Sequence, residues 1–141
     1  MMLAGRTLFH REESLAGQDT WPEAFARAGH ATFLTGKWHN GEASATRCFR
    51  EGRNVFFGGM TDQWNVPVTS FPAADGSAGV PRPVVAAGTH SATLFGDSAV
   101  AFLEQVGDEP FFAWVSFTVP HDPRQAPEEY RSRYEIGRAH V

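Results

Sequence analysis

A lysine and a histidine two residues apart offer the clearest chemistry in this sequence. Lys37 and His39 follow a short apolar run, Ala31 to Leu34, and a glycine at position 36. In an extended backbone, residues i and i+2 point to the same side, so the two side chains can face one small anion together. Lysine supplies a compact positive charge, and histidine exchanges a proton near neutral pH. The pair suits a sulfate or phosphate ester, although a solvated lysine and a half-buried histidine in an ordinary loop would have the same spacing.

A further histidine follows the second apolar stretch of the chain. Residues Phe111 to Val119 are largely apolar, and Pro120-His121-Asp122-Pro123 comes next. The two prolines stiffen this loop and aim the imidazole of His121. A histidine after a strand is by itself more often a hydrogen-bonded loop residue than a catalyst. His121 is therefore a candidate only in combination with the first pair.

The elements around these residues predict an α/β fold. Thr20-Trp21-Pro22-Glu23 is a capping box, in which the Thr20 hydroxyl caps the Glu23 amide, and it starts a helix that ends at Gly29. A short strand from Ala31 to Leu34 follows and leads to Lys37 and His39. The stretch from Phe111 predicts a strand buried on both faces, as in a parallel sheet covered by helices. Ligands bind at the carboxyl ends of such strands.

Other segments are assigned structural roles. Ser91 to Val106 is predicted to be a helix with one apolar stripe, formed by Ala92, Phe95, Ala99, Phe102, Leu103 and Val106. Residues 66–89, rich in Pro, Gly and Ala, predict irregular or hairpin structure, either a substrate-facing loop or a surface excursion. Asp62 is interpreted as a turn cap rather than a substrate ligand, and Cys48 as a small buried hydrophobe.

Three segments together resemble one enzyme family. Gly29, Thr32, Gly36, Lys37, Trp38 and His39 resemble the second signature of the type I sulfatases, with His30 departing from the family's aromatic residue or Val. Met2-Leu3-Ala4-Gly5-Arg6 is similar to the end of the first signature, and the segment from Thr118 to Pro123 to a Thr-x-Pro-His-x-Pro motif. Arg6 itself is interpreted as a surface ion-pair residue. The resemblance covers Met1 to Tyr134.

The resemblance implies a fold and a mechanism. It implies an incomplete alkaline-phosphatase-like sandwich, with residues 1–134 forming part of a sulfatase catalytic domain. It implies that the nucleophile, a Cys or Ser oxidised to formylglycine, lies just upstream of Met1 and attacks sulfur as the alcohol leaves. Lys37 would clamp a sulfate oxygen, His39 would be the base that allows sulfate to be expelled, and His121 would bind sulfate and assist the leaving group. The chain alone is expected to be inactive, because it lacks this nucleophile, and poorly soluble, because missing strands leave sheet edges open.

The resemblance also implies a cofactor and partners. The family holds a divalent cation, usually calcium, through oxygen ligands. The matching positions lie outside this chain, so no metal ligand is assigned to Asp62, Asp97 or Asp122. The expected partners are a sulfate-ester small molecule or a sulfated glycan, and a formylglycine-generating maturase. A phosphomonoester or phosphonate-ester hydrolase of the same superfamily is the alternative, and so is a non-catalytic relative that binds sulfated glycans. Two placed imidazoles argue against the binder, which needs only the cation.

Composition limits what else the chain could be. Its 141 residues, 42% hydrophobic and 13% aromatic, indicate one globular domain. The net charge of −4 and the scattered Lys and Arg residues show no nucleic-acid footprint. No apolar run is long enough to cross a membrane, and no signal peptide opens the chain. A periplasmic or secreted parent fits the family. Residues 135–141 read like a translated sequencing adapter, so the chain is interpreted as a fragment with a non-native tail.

Overall fold

A five-stranded sheet with helices on both faces forms the body of the chain. The computed structural model describes residues 2–5, 14–72 and 81–134. In chain order, its elements are α1 (Trp21–Arg27), β1 (Ala31–Lys37), α2 (Glu42–Cys48), β2 (Glu51–Phe56), β3 (Asn65–Phe71), β4 (Val84–Ala87), α3 (Ser91–Val106), β5 (Phe111–Ser116) and α4 (Glu128–Arg131).

Strand β1 lies inside the sheet, whose strand order is β4-β3-β2-β1-β5. It pairs in parallel with β2 on one side and β5 on the other. Strand β3 is antiparallel to β2, and β4 is antiparallel to β3, so only β3 runs against the other four strands. The sheet is therefore mixed but mostly parallel, as predicted. The carboxyl ends of β1, β2 and β5 meet at one edge.

Successive residues of β1 anchor the two layers of helices. Leu34 is buried in a core cluster with residues of α2, including Ala45 and Cys48. The preceding residue, Phe33, faces the opposite layer and stacks on Phe102 of α3, with ring centroids 4.3 Å apart. Side chains alternate between the two faces of a strand, so one apolar run serves both cores. This layering confirms the α/β sandwich expected of the alkaline-phosphatase-like fold.

Helix α3 confirms the strongest helical pattern in the sequence, with the predicted ends. Phe95 and Phe102 of the predicted stripe are buried against the sheet. Leu103 was expected in the same stripe but is exposed. It follows Phe102 directly, and adjacent helical residues are about 100° apart around the axis, so the two cannot share a narrow contact with the sheet.

Strand β5 differs from its prediction. The apolar pattern predicted burial on both faces, whereas Phe111 and Val115 are exposed and the other residues of the strand are only partly buried. The cause is position, because β5 is the last strand on its side of the sheet and pairs with β1 alone among the described strands.

The capping box before α1 also differs in detail. The helix starts after Thr20 as predicted, but the Thr20 hydroxyl makes no cap to a backbone amide. It instead donates to the Glu23 carboxylate, with Oγ1 and Oε2 2.7 Å apart. A carboxylate is a strong, charge-assisted acceptor, which favours this bond. The helix ends near Gly29 as predicted, since Gly29 has φ of 86°.

The proline-rich segment contains the predicted hairpin, because β3 and β4 pair in antiparallel register from Asn65 opposite Ala87 to Val68 opposite Val84. Residues 73–80 of that segment lie outside the described residues. Among the described helices, none combines the length and apolar character needed to cross a membrane.

Candidate active site

The candidate catalytic residues follow the carboxyl ends of two neighbouring strands. Lys37 is the last residue of β1, and His39 lies two residues beyond it. His121 lies in the segment after β5, whose last residue, Ser116, pairs with Gly36 of β1. The two strands are parallel and in register, so both segments leave the sheet at the same edge. The roles of Lys37, His39 and His121 in catalysis remain predictions.

Trp38 fixes the orientation of the β1 exit. Its indole is buried in the core, where Nε1 donates to Ser44 Oγ at 2.8 Å. The Trp38 amide also donates to the Phe56 carbonyl, which continues the pairing with β2 past the last residue of β1. Neighbouring side chains in extended backbone point to opposite sides. The buried indole therefore accounts for the greater accessibility of Lys37 and His39, which are half-buried and exposed.

Lys37 is held by the loop that follows β2. Its Nζ donates to the Gly59 carbonyl oxygen at 2.5 Å. A lysine ammonium has three N–H donors, and this bond occupies one of them. The bond ties the cation to the same edge of the sheet from which His39 and the segment after β5 emerge.

Gly36 permits the close approach of β1 and β5 immediately before Lys37. Its φ is +86°, and the register between β1 and β2 shifts between Thr35 and Gly36. A Cβ at this position would lie 1.9 Å from the Ser116 carbonyl oxygen. Only glycine fits such a contact in this backbone conformation. Gly36 is thus the site of an irregularity inside β1.

The segment carrying His121 forms a turn on Thr118. The His121 amide donates to the Thr118 carbonyl oxygen at 3.1 Å. The imidazole Nδ1 lies 3.1 Å from the Asp122 carbonyl oxygen, a contact that suits an Nδ1–H donor. In that neutral tautomer the exposed ring keeps Nε2 as an acceptor. The carboxylate of Asp122 pairs with Arg124 at 3.1 Å.

A buried polar cluster beside this segment was not found by sequence reasoning. Gln63, Ser91 and Thr118 come from the loop after β2, the first turn of α3 and the segment after β5, and all three side chains are buried. The Ser91 hydroxyl donates to Gln63 Oε1 at 2.6 Å, and the Thr118 hydroxyl lies 2.6 Å from the same oxygen. Positions 63, 91 and 118 share no periodicity or motif, so only the tertiary structure reveals the cluster.

The interpretations of Asp62 and Cys48 are confirmed. The Asp62 carboxylate accepts the Trp64 amide at 2.9 Å and the Asn65 side-chain amide at 2.7 Å, and the pKa of Asp62 is lowered by these bonds, the Trp64 amide first. Cys48 is 1% exposed. Burial raises the pKa of the Cys48 thiol, against the opposing hydrogen bond with Thr20. Arg6 lies outside the described residues.

The described residues do not suit a metal site. Within 2–5, 14–72 and 81–134, no three His, Cys, Asp or Glu side chains converge on a point that could hold an ion.

Comparison with known proteins identifies the family. The model of the sulfatase family matches residues 2–140. The chain is also similar to an arylsulfatase of Klebsiella aerogenes, at 32% identity over 138 residues. The chain belongs to the sulfatase family. The aligned region covers 86% of this sulfatase chain and 29% of the arylsulfatase, so the chain spans less than a third of its relative's length.

His30 and the residues after Tyr134 are two parts of the chain that the sequence predicted to differ from the sulfatase pattern. His30, the departure from the second signature, packs edge-on against Phe25 with ring centroids 5.2 Å apart. The imidazole of His30 therefore makes an aromatic contact at this position. The family match includes residues 135–140, which were interpreted as a non-native tail. These residues lie outside the described structure, and the interpretation of 135–141 stays a prediction.

Proposed function

We propose that this chain is the N-terminal part of the catalytic domain of a sulfuric ester hydrolase. The observation that carries the proposal is the emergence of Lys37, His39 and the His121 segment from adjacent parallel strands of a sulfatase-family chain. The carboxyl ends of parallel strands are where α/β proteins bind ligands. Residue types and position therefore agree with a site for a small anion such as a sulfate ester.

Lys37 has the proposed role of clamping a sulfate oxygen. Negative charge grows on the sulfate oxygens and on the departing oxygen as the ester bond breaks. A cation fixed in advance at that charge stabilises the transition state, and removing one such donor typically costs about 10²–10³-fold in rate. The bond from Nζ to the Gly59 carbonyl supports this role because it limits the motion of the ammonium before substrate arrives.

The two histidines have the proposed acid–base roles. His39, exposed at the β1 exit, is the proposed base for the step that releases sulfate. His121 would hydrogen-bond sulfate and, when protonated, give a proton from Nε2 to the leaving oxygen. Its Nδ1 contact with the Asp122 carbonyl supports the use of Nε2 for this transfer. Each such role contributes about 10²–10⁴-fold to the rate.

The remaining chemistry is proposed to come from outside this chain. A formylglycine made from a Cys or Ser upstream of Met1 would supply the nucleophilic oxygen. A divalent cation, calcium in this proposal, would be held by ligands outside the chain. The substrate would be a sulfate-ester small molecule or a sulfated glycan, and a formylglycine-generating maturase would act on the parent protein.

The test begins with the parent gene and continues with the parent enzyme. Sequencing upstream should reveal Cys- or Ser-x-Pro-Ser-Arg, and the purified parent should hydrolyse p-nitrophenyl sulfate faster than p-nitrophenyl phosphate. His121→Ala should reduce kcat by about 10²-fold or more, whereas the buried control Cys48→Ala should leave kcat nearly unchanged. A preference for the phosphate ester would favour the phosphatase-like alternative. Equal effects of the two substitutions would reduce His121 to a structural residue.

A further inference from the structure

We propose that Gln63 and Thr118 are positioning residues that hold the His121 segment at the candidate site. The segment is residues 118–125, and the side chains of Gln63, Ser91 and Thr118 form what we call the clamp. The inference rests on the proposed catalytic role of His121 and adds a mechanism by which the fold sets the place of its imidazole.

The clamp binds the N-terminal end of the segment, at Thr118, in the interior of the protein. Gln63, Ser91 and Thr118 are 1%, 0% and 5% exposed. The side-chain oxygen Oε1 of Gln63 has two lone pairs and accepts from the hydroxyls of Ser91 and Thr118, at 2.6 Å each. Thr118 Oγ1 also lies 2.9 Å from Ser91 Oγ. Buried hydroxyls are costly to leave unpaired. Rotation or withdrawal of Thr118 is therefore opposed by the whole cluster.

The C-terminal end of the segment, at Gln125, is held by the loop after β2 that carries Gln63. Gln125 Oε1 accepts the backbone amide of Gln63 at 2.6 Å. The Gln125 carbonyl oxygen lies 3.1 Å from Nε2 of His90, the N-cap of α3. The backbone amide of Ser91 also donates to the backbone carbonyl oxygen of Gln63, at 2.8 Å. Gln63 thus contacts both ends of the segment, and the N-terminus of α3 also contacts the segment and Gln63.

His121 lies between these two attachments. It is exposed and its ring bonds only to the neighbouring Asp122 carbonyl among the described residues. The imidazole itself therefore has little packing to hold it. Its position depends on the backbone of the segment, which begins with the turn from the His121 amide to the Thr118 carbonyl. A shift of about 1 Å in a catalytic group can cost about 10²-fold in rate, so the clamp has kinetic consequences.

The test compares three threonine substitutions in the full-length parent enzyme. Thr118→Val removes the hydroxyl at nearly constant shape, and Thr118→Ser retains the hydroxyl. Thr69→Val is the matched control, since Thr69 is 4% exposed and its hydroxyl donates to the Pro81 carbonyl, away from the clamp. We expect Thr118→Val to lower kcat about 10- to 100-fold with KM changed less than 3-fold. Thr118→Ser should recover most of that loss, and Thr69→Val should destabilise without lowering kcat.

Combination with His121→Ala separates positioning from general loss of structure. If the clamp acts through His121, Thr118→Val should lower kcat by less than about 2-fold in the His121→Ala background, because the effects of coupled residues are not additive. The same loss in both backgrounds would overturn the inference, as would equal loss of kcat in Thr118→Val and Thr69→Val.

A spectroscopic measurement makes the inference independent of turnover. In parent protein labelled with ¹³C at histidine Cε1, Thr118→Val should shift or split the His121 signal, and Thr69→Val should leave it unchanged. An unchanged His121 signal in Thr118→Val would overturn the clamp even if activity fell. If His121→Ala leaves kcat unchanged while the signal moves, the clamp stands and the proposed role of His121 fails.

Discussion

Replacing Gly36 with alanine should be among the most damaging small substitutions in this chain. Gly36 has φ of +86°, and an added Cβ would lie 1.9 Å from the carbonyl oxygen and 2.7 Å from the carbonyl carbon of Ser116. Both contacts are with backbone, which cannot rotate away as a side chain could. Relief therefore requires β1 and β5 to separate at the point where the chain enters the candidate site.

The expected cost has two parts. A left-handed conformation costs an L-residue about 1–2 kcal/mol. Forcing an extra carbon into a packed region costs about 1–3 kcal/mol more. The sum, about 2–5 kcal/mol, is a large share of the 5–15 kcal/mol by which folded proteins are stable.

Gly29 provides the matched control. Its φ is also +86°, but nothing lies within 4 Å of the position its Cβ would occupy. Gly29→Ala should therefore carry only the backbone cost, about 1–2 kcal/mol. The difference between the two variants isolates the contact with Ser116.

The assay is urea unfolding of the parent protein, followed by tryptophan fluorescence. Gly36→Ala should lower the free energy of unfolding by at least 1 kcal/mol more than Gly29→Ala, about one overpacked contact. It should also lower kcat, because Lys37 follows Gly36 directly. Equal losses of stability in the two variants would refute the reasoning, since they would show that β1 and β5 can relax around the new carbon at no cost.

Four further predictions follow from single side chains and from the chain as a whole. Cys48 should react with iodoacetamide at pH 8 only after unfolding in urea, because it is buried and its pKa is raised; rapid labelling of the folded protein would contradict this. The folded pKa of Cys48 lies above its ordinary value of 9.0, so the stability contributed by the neutral thiol should be complete below pH 9.0 and should be lost as the pH rises through the folded pKa. In thermal melts, Cys48→Ala should therefore lack this decrease in melting temperature at alkaline pH. Because the pKa of Asp62 is lowered in the folded protein, its ionised carboxylate stabilises the fold at neutral pH. Wild type should therefore have a higher melting temperature than Asp62→Asn at neutral pH, and this difference should disappear as the pH falls below 3.8 and then through the folded pKa. A difference in melting temperature that does not depend on pH would show that the charge contributes nothing. Purified residues 1–134 should not hydrolyse p-nitrophenyl sulfate, and turnover by them would contradict both the proposed upstream nucleophile and the proposed mechanism.

Local signals in the sequence predicted much of the fold. The apolar spacing of Ser91–Val106 gave a helix with the observed ends, because amphipathic periodicity is a property of neighbouring residues. The Asp62 turn is formed by partners two and three residues away, so its chemistry was also readable locally. The exposure of Phe111 and Val115 was not readable, because it depends on which strand lies beside β5.

For the candidate site, too, some features follow from the sequence and others only from the tertiary structure. The sequence by itself determined the residue types and spacing at Lys37, His39 and His121, and their resemblance to the sulfatases. Only the tertiary structure decided that β1 and β5 are parallel neighbours, that Gly36 meets Ser116, and that Gln63, Ser91 and Thr118 bond to one another. The clamp joins positions 28 and 27 residues apart in sequence. Contacts of this range arise from how the sheet and helices pack, and no local pattern encodes them.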